Sequence, residues 1–272
     1  MQGFAHGVPW TIDDGQRSGY TKPNSRFSRI HNTVEVDGKG NNEFGLSSYA
    51  WTENLSDAPG APFLSVRAVP PPNATLYQRQ VALVTVDEGT GSKPLPPEQQ
   101  LPDAVLPQEI KSANSYVFDV FRVAGGSAHL YNFHGPIEDQ FKWNVTGEKA
   151  IENVEEIYDV TTDANTLSSF SAEKSAKTKF GGEMPETFEA TWRLTREGKF
   201  GTEQQYLGKN FNESAPRKFT RLHLLNAAGM RGLRADVFCQ QVGYRFTTTT
   251  AIKRGKDLES GFAAIIEPYA GE

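Results

Sequence analysis

Residues 26–39 read Arg26-Phe27-Ser28-Arg29-Ile30-His31-Asn32-Thr33-Val34-Glu35-Val36-Asp37-Gly38-Lys39, and their second half has the pattern of a β-strand. Thr33, Glu35 and Asp37 alternate with Val34 and Val36, and Asp37-Gly38 closes the run as a turn pair. A period of two sets His31 on the face of Thr33 and Glu35, opposite the valines. A histidine at the entry of a strand, two residues after Arg29, is placed to coordinate or recognise a ligand. The alternative is a strand-edge histidine bonded to a neighbouring carbonyl.

Outward from this stretch the same alternation recurs. Strand signals fall at 44–51, 63–69, 77–86, 116–123, 128–133, 188–194, 219–225, 235–239, 244–250 and 262–266, separated by Gly- and Pro-rich turns. The run 81–86 is nearly continuously apolar and reads as covered on both faces. Gly125-Gly126 reads as a hairpin turn joining 116–123 to 128–133. The proline-rich segment 88–114 reads as a long loop, of the kind that is functional or disordered. Ala150, Ile151, Val154 and Ile157 are helix-spaced, so helix is expected only in short pieces near 148–158. The fold class is therefore all-β: one large antiparallel β-sandwich over 1–272, with a change of character at 145–185 that marks an insertion or a join.

Composition narrows the function classes. The 272 residues carry 28 Lys+Arg against 33 Asp+Glu, a net charge of −5, which gives no electrostatic case for nucleic acid or an anionic membrane. A polyanionic ligand would need a local basic patch. The single cysteine, Cys239, allows no internal disulfide and reads as a small buried hydrophobe. No run reaches transmembrane length, and the first seven residues lack the charged and apolar regions of a signal peptide. There is no Gly-x-Ser-x-Gly elbow, no Gly-rich phosphate loop and no histidine pair at helix-face ligand spacing. His129 and His134, five apart, face opposite sides of a continuous strand and read as sheet-surface histidines. Asn54, Asn73, Asn144 and Asn212 each begin an Asn-x-Ser/Thr triplet, which matters only in a glycosylating pathway.

Residues 28–39 resemble the "S-x-x-H-N-T-V-x-V-D-G" segment of heparinase II/III-like polysaccharide lyases. Tyr77-Gln78-Arg79-Gln80-Val81-Ala82-Leu83-Val84 and Tyr116-Val117-Phe118-Asp119-Val120-Phe121-Arg122-Val123-Ala124-Gly125-Gly126 agree with that family in order and spacing. So do His129, Tyr131 and Phe133-His134-Gly135 that follow. Phe262-Ala263-Ala264-Ile265-Ile266-Glu267-Pro268-Tyr269 is similar to the family's closing strand. The likeness is thin between Val145 and Gly201.

The resemblance implies the C-terminal β-sandwich that follows an α/α toroid in these lyases. They cleave uronic-acid-containing polysaccharides by β-elimination, with the main acid and base groups on the toroid. A chain without the toroid is expected to be catalytically incomplete, to have an anionic polysaccharide as partner, and to work in the periplasm or outside the cell. Arg26, Arg29, Asn32 and Arg79 are the expected sulfate or carboxylate contacts, since arginine pairs bidentately with such anions. A surface salt bridge is the other reading of these side chains, and the favoured one for Arg79. Some members hold a zinc with two histidines and an aspartate. Ile12-Asp13-Asp14-Gly15 is similar to the aspartate segment and His31 matches the last histidine, so Asp13 and His31 are the implied metal ligands and are expected side by side. The upstream H-x-H segment has no counterpart beyond His6, so the zinc site looks truncated. Two other readings stay open. One is a non-catalytic carbohydrate-binding or scaffold sandwich, which an exposed aromatic platform at Trp10, Trp51 or Tyr49 would favour. The other is a single-domain hydrolase or isomerase.

Overall fold

The computed structural model describes residues 3–5, 8–11, 31–38, 49–87, 114–152, 179–197, 203, 213–214, 216–239 and 244–271. Alternating sequence becomes antiparallel sheet throughout. A short ladder pairs β1 (Gly3–Ala5) with β2 (Val8–Thr11). A six-stranded sheet contains β3 (Thr33–Val36), β8 (Ala128–His134), β10 (Thr146–Ala150), β11 (Lys179–Glu183), β14 (Arg231–Cys239) and β15 (Tyr244–Arg254), in the order β10-β11-β14-β15-β8-β3. An eight-stranded sheet contains β4 (Ala50–Ser56), β5 (Phe63–Ala68), β6 (Ala74–Asp87), β7 (Asn114–Gly125), β9 (Glu138–Trp143), β12 (Thr187–Leu194), β13 (Arg217–Leu225) and β16 (Glu259–Gly271). Its order is β4-β5-β6-β7-β16-β13-β12-β9.

The facing sides of the two sheets make the core. Val34, Val36, Tyr131, Phe133 and Ala251 of the smaller sheet meet Tyr77, Phe121, Val123, Trp192, Leu222, Phe262 and Ile266 of the larger one. Tyr131 stacks on Phe262 with ring centres 5.4 Å apart, and Phe133 lies against Trp192 at the same separation. Ala128, Leu130, Ile151, Leu233 and Ile252 form a second buried cluster. The period of two puts Leu130 on the far side of the smaller sheet from Tyr131, so β8 is buried on both faces along its whole length.

Four local expectations give way to this packing. Gly125-Gly126 is not a hairpin turn. It carries the chain from one sheet to the other, because β7 pairs with β6 and β16, whereas β8 pairs with β15 and β3. Both glycines have positive φ, 93° and 79°. A Cβ on Gly125 would sit 2.4 Å from the Asn73 carbonyl oxygen, and one on Gly126 2.6 Å from Val36 Cγ1, so the corner admits no side chain. Residues 148–150 are strand rather than helix, since pairing with β11 overrides a weak periodic signal, and 153–158 lie outside the described residues. The run 81–86 is not covered on both faces: Leu83 is 46% and Val86 68% exposed, because β4, β5 and the end of β6 extend past the smaller sheet. His129 and His134 are buried rather than on a sheet surface, because β8 has neighbours above and below.

Candidate functional site

Strand β3 is short and lies at an open edge, so its own ladder cannot hold it firmly. Polar side chains from the other sheet fasten it. Tyr77 donates its hydroxyl to the Val34 carbonyl at 2.5 Å and lies 3.0 Å from Thr33 Oγ1. Burial pushes the Tyr77 phenol up to about 12, against the hydrogen bond from Thr33 and the nearby Arg79 charge, so it is a neutral donor at any physiological pH. Arg79 donates from Nη1 to the Asn32 carbonyl at 2.9 Å and pairs bidentately with Asp119, both bonds 2.8 Å. Asp119 is fully buried and also accepts from the Tyr131 hydroxyl at 3.3 Å. Burial, then the Asp119 charge, hold the Tyr131 phenol well above its usual value. Burial works against the Arg79 charge, but the Asp119 carboxylate outweighs it and raises the guanidinium further.

The turn after β3 is fastened in the same way. Asp37 accepts from the Ser127 N–H and hydroxyl, at 2.8 and 2.9 Å, and from the Ala128 N–H at 3.0 Å. Asn73 donates to its other oxygen at 3.2 Å. Burial alone would raise the Asp37 carboxyl, yet these donors outweigh it and hold it below the usual carboxylate range. Asn132 donates to Glu35 at 3.2 Å and accepts from Thr250 Oγ1 at 2.8 Å. Glu35 is itself fully buried. His129 lies 2.7 Å from Ser260 Oγ and 2.6 Å from the Gly125 carbonyl, which ties the smaller sheet to β16. Burial pushes the His129 imidazole down.

The two described substrate-contact candidates therefore point into the protein. Asn32 is 3% exposed, and its amide accepts from the His134 N–H at 2.8 Å and donates to the His134 carbonyl at 3.4 Å. Arg79 has its ion pair in the interior rather than at the surface, because position 79 shares the inward parity of Tyr77. Their geometry positions β3. Arg26, Arg29 and Asp13 lie outside the described residues, as does the expected Asp13–His31 pairing. His31 is partly exposed and engaged by a contact of its own. Among the described residues no three His, Cys, Asp or Glu side chains are grouped to hold a metal ion. Among them, too, no helix is long and apolar enough to cross a membrane.

Sequence reading missed Asp119, Tyr131 and Glu138. Asp119 had a signal: a charge in the apolar strand Val117-Phe118-Asp119-Val120-Phe121, on the parity of Val117 and Phe121. Glu138 opens β9 and accepts from the N–H and hydroxyl of Thr247 on the opposite sheet, at 2.9 and 2.6 Å. Its second oxygen is buried with no hydrogen-bond partner among the described residues. Burial pushes the Glu138 carboxyl up to about 7, only partly opposed by Thr247.

No family model matches the chain, and no curated protein matches it in sequence. Solved structures do. A heparinase III gene product aligns over 97% of this chain and 28% of its own, with 13% identity and a TM-score of 0.48. The heparan sulfate lyase HepC from Pedobacter heparinus aligns over 99% of this chain and 30% of its own, with 13% identity and a TM-score of 0.47. The chain thus spans less than a third of the length of these lyases.

Proposed function

We propose that the chain is the β-sandwich part of a heparinase II/III-like polysaccharide lyase, acting on an anionic, uronic-acid-containing polysaccharide in the periplasm or outside the cell. The observation that supports this is convergence. The stretches resembling the family, around residues 31–38, 77–84 and 116–135, lie far apart in sequence and are knitted into one cluster by Tyr77, Arg79, Asn32, Asp37 and Asp119. A motif whose interior residues are saturated with internal bonds cannot itself act on a polymer; it holds a strand in place. In this reading the cluster holds β3 so that His31, with Arg26 and Arg29 before it, forms one wall of a sugar cleft. The acid and base belong to an α/α toroid. Asp13 beside His31, with zinc shared between them, belongs to the same reading.

The test has two arms. The 272-residue chain, incubated with heparan sulfate, is expected to give no growth of the ultraviolet absorbance of unsaturated uronate; robust turnover would overturn the division of labour. In a longer polypeptide carrying the toroid, turnover is expected and His31→Ala lowers it; a rate indifferent to that change removes the role given to β3. Elemental analysis of the same polypeptide, before and after His31→Ala, tests the zinc.

A further inference from the structure

The outer face of the larger sheet carries a row that the cluster around β3 does not use. Register places Trp51 of β4 beside Arg67 of β5, Arg67 beside Gln78 of β6, Gln78 beside Arg122 of β7, and Arg122 beside Gly261 of β16. Gln78 precedes the inward Arg79 and Arg122 follows the inward Phe121, so the row faces away from the core. Three inter-strand steps make it about 14 Å long. Tyr49 extends the aromatic end: its carbonyl accepts from the Val69 N–H, continuing the β4–β5 ladder, so it shares the parity of Trp51. Tyr49 is 69% and Trp51 48% exposed.

The charges on this row are specific. Arg122 is exposed and makes no ion pair or hydrogen bond among the described residues. Arg67 is 42% exposed and only loosely paired, 3.7 Å from Glu53. Glu53 reaches the face through an irregularity in β4 and accepts from Ser65 Oγ at 3.3 Å and from Gln78 Nε2, so its charge is partly offset there. Beyond Arg122, Gly261 presents no side chain, and a Cβ there would meet nothing within 4 Å, which leaves a flat open shelf. Flat exposed rings take the apolar faces of sugars, and two guanidinium groups take carboxylate or sulfate groups.

We propose that the Tyr49–Trp51–Arg67–Gln78–Arg122 row is a binding surface for an anionic polysaccharide, with the sugar stacked on Trp51 and its acidic groups on Arg67 and Arg122. It stands whether or not the chain belongs to a lyase. The full chain is titrated calorimetrically with a heparin-derived octasaccharide and with an uncharged cello-oligosaccharide, and its oligomeric state is followed by sedimentation. Heparin octasaccharide is expected to bind in preference to the uncharged sugar. Trp51→Ala weakens it about tenfold and Arg122→Gln about fivefold. Glu53→Gln tightens it, because it removes a negative charge beside Arg67 and Gln78. All three sites are at the surface, and an unchanged circular dichroism spectrum checks the fold. Absence of heparin binding, equal binding of both sugars, or affinity unchanged in Trp51→Ala and Arg122→Gln each overturns the proposal. A change of sedimentation on Trp51→Ala with no effect on heparin does so as well, and points to a contact between copies.

Discussion

Two carboxylates bridge the sheets of this sandwich, and they are solved in opposite ways. Asp119 meets a bidentate guanidinium and a phenol. Among the described residues Glu138 meets the amide and hydroxyl of Thr247, has no partner for its other oxygen, and has the Asp236 charge nearby. Burial disfavours charge at both places. At Asp119 the Arg79 guanidinium supplies a fixed counter-charge in bidentate contact. At Glu138 none of the described residues does so, and the carboxyl keeps a proton up to about pH 7. The difference teaches that a buried acid is governed by what faces it: a guanidinium and a phenol in one place, an amide and a hydroxyl in the other.

The largest test of the comparison is to remove the counter-ion. Asp119→Ala strands Arg79 in the interior and is expected to cost about 3–5 kcal/mol, read from the urea unfolding midpoint. The double change Arg79→Met with Asp119→Leu should be milder, since no charge is left behind. A double variant as damaged as the single one would show that shape, not charge, matters there.

Glu138 provides the next test. Its folded pKa lies above the ordinary 4.5, so the folded chain holds the proton more tightly than the unfolded one. That stabilisation is complete below about pH 4.5 and is lost as pH rises through about 7, a change on the order of 3 kcal/mol between about pH 5 and pH 8. Glu138→Gln keeps the bond to Thr247 without the charge. It should match the parent near pH 5 and exceed it near pH 8 in urea midpoint; parallel curves at both values would mean that Glu138 is ionised throughout.

Asp37 shows the opposite sign on a smaller scale. Its lowered pKa means that its contribution is present above the ordinary 3.8 and fades as pH falls through the folded value. Asp37→Ala leaves the Ser127 and Ala128 amides without their acceptor and should cost about 1–3 kcal/mol near neutrality. Faster amide exchange confined to the Gly125–Gly126 corner and β3 would locate the damage. Tyr77→Phe is the mildest, about 1–2 kcal/mol from the two hydrogen bonds lost to the Val34 carbonyl and Thr33. Its effect should not vary with pH, and a pH-dependent loss would assign a titrating role to this phenol.

The architecture was legible because an all-β chain writes its sheets as alternation. Val34 and Val36 point to the core, and the strands announced at 188–194, 219–225 and 262–266 are present as β12, β13 and β16. Arg79 reads from sequence as a surface salt bridge and Asp119 is passed over, although the parity of both positions points inward, because a charged residue on an apolar strand is easily read as surface. What alternation cannot carry is which strand pairs with which. Gly125-Gly126 has the composition of a hairpin turn, and only the tertiary structure made it a corner, because β15 offered β8 a better partner than β7 could.

The sequence by itself determined the all-β class and the alternation of most of its strands, because these depend on spacing along one chain and on residue type. The tertiary structure alone decided that Asn32 and Arg79 are spent on holding β3, that Glu138 is left half-satisfied, and that Trp51, Arg67 and Arg122 fall into one row. Each of these depends on distances between residues tens of positions apart, which are set when two sheets choose their strand order and close on a common core.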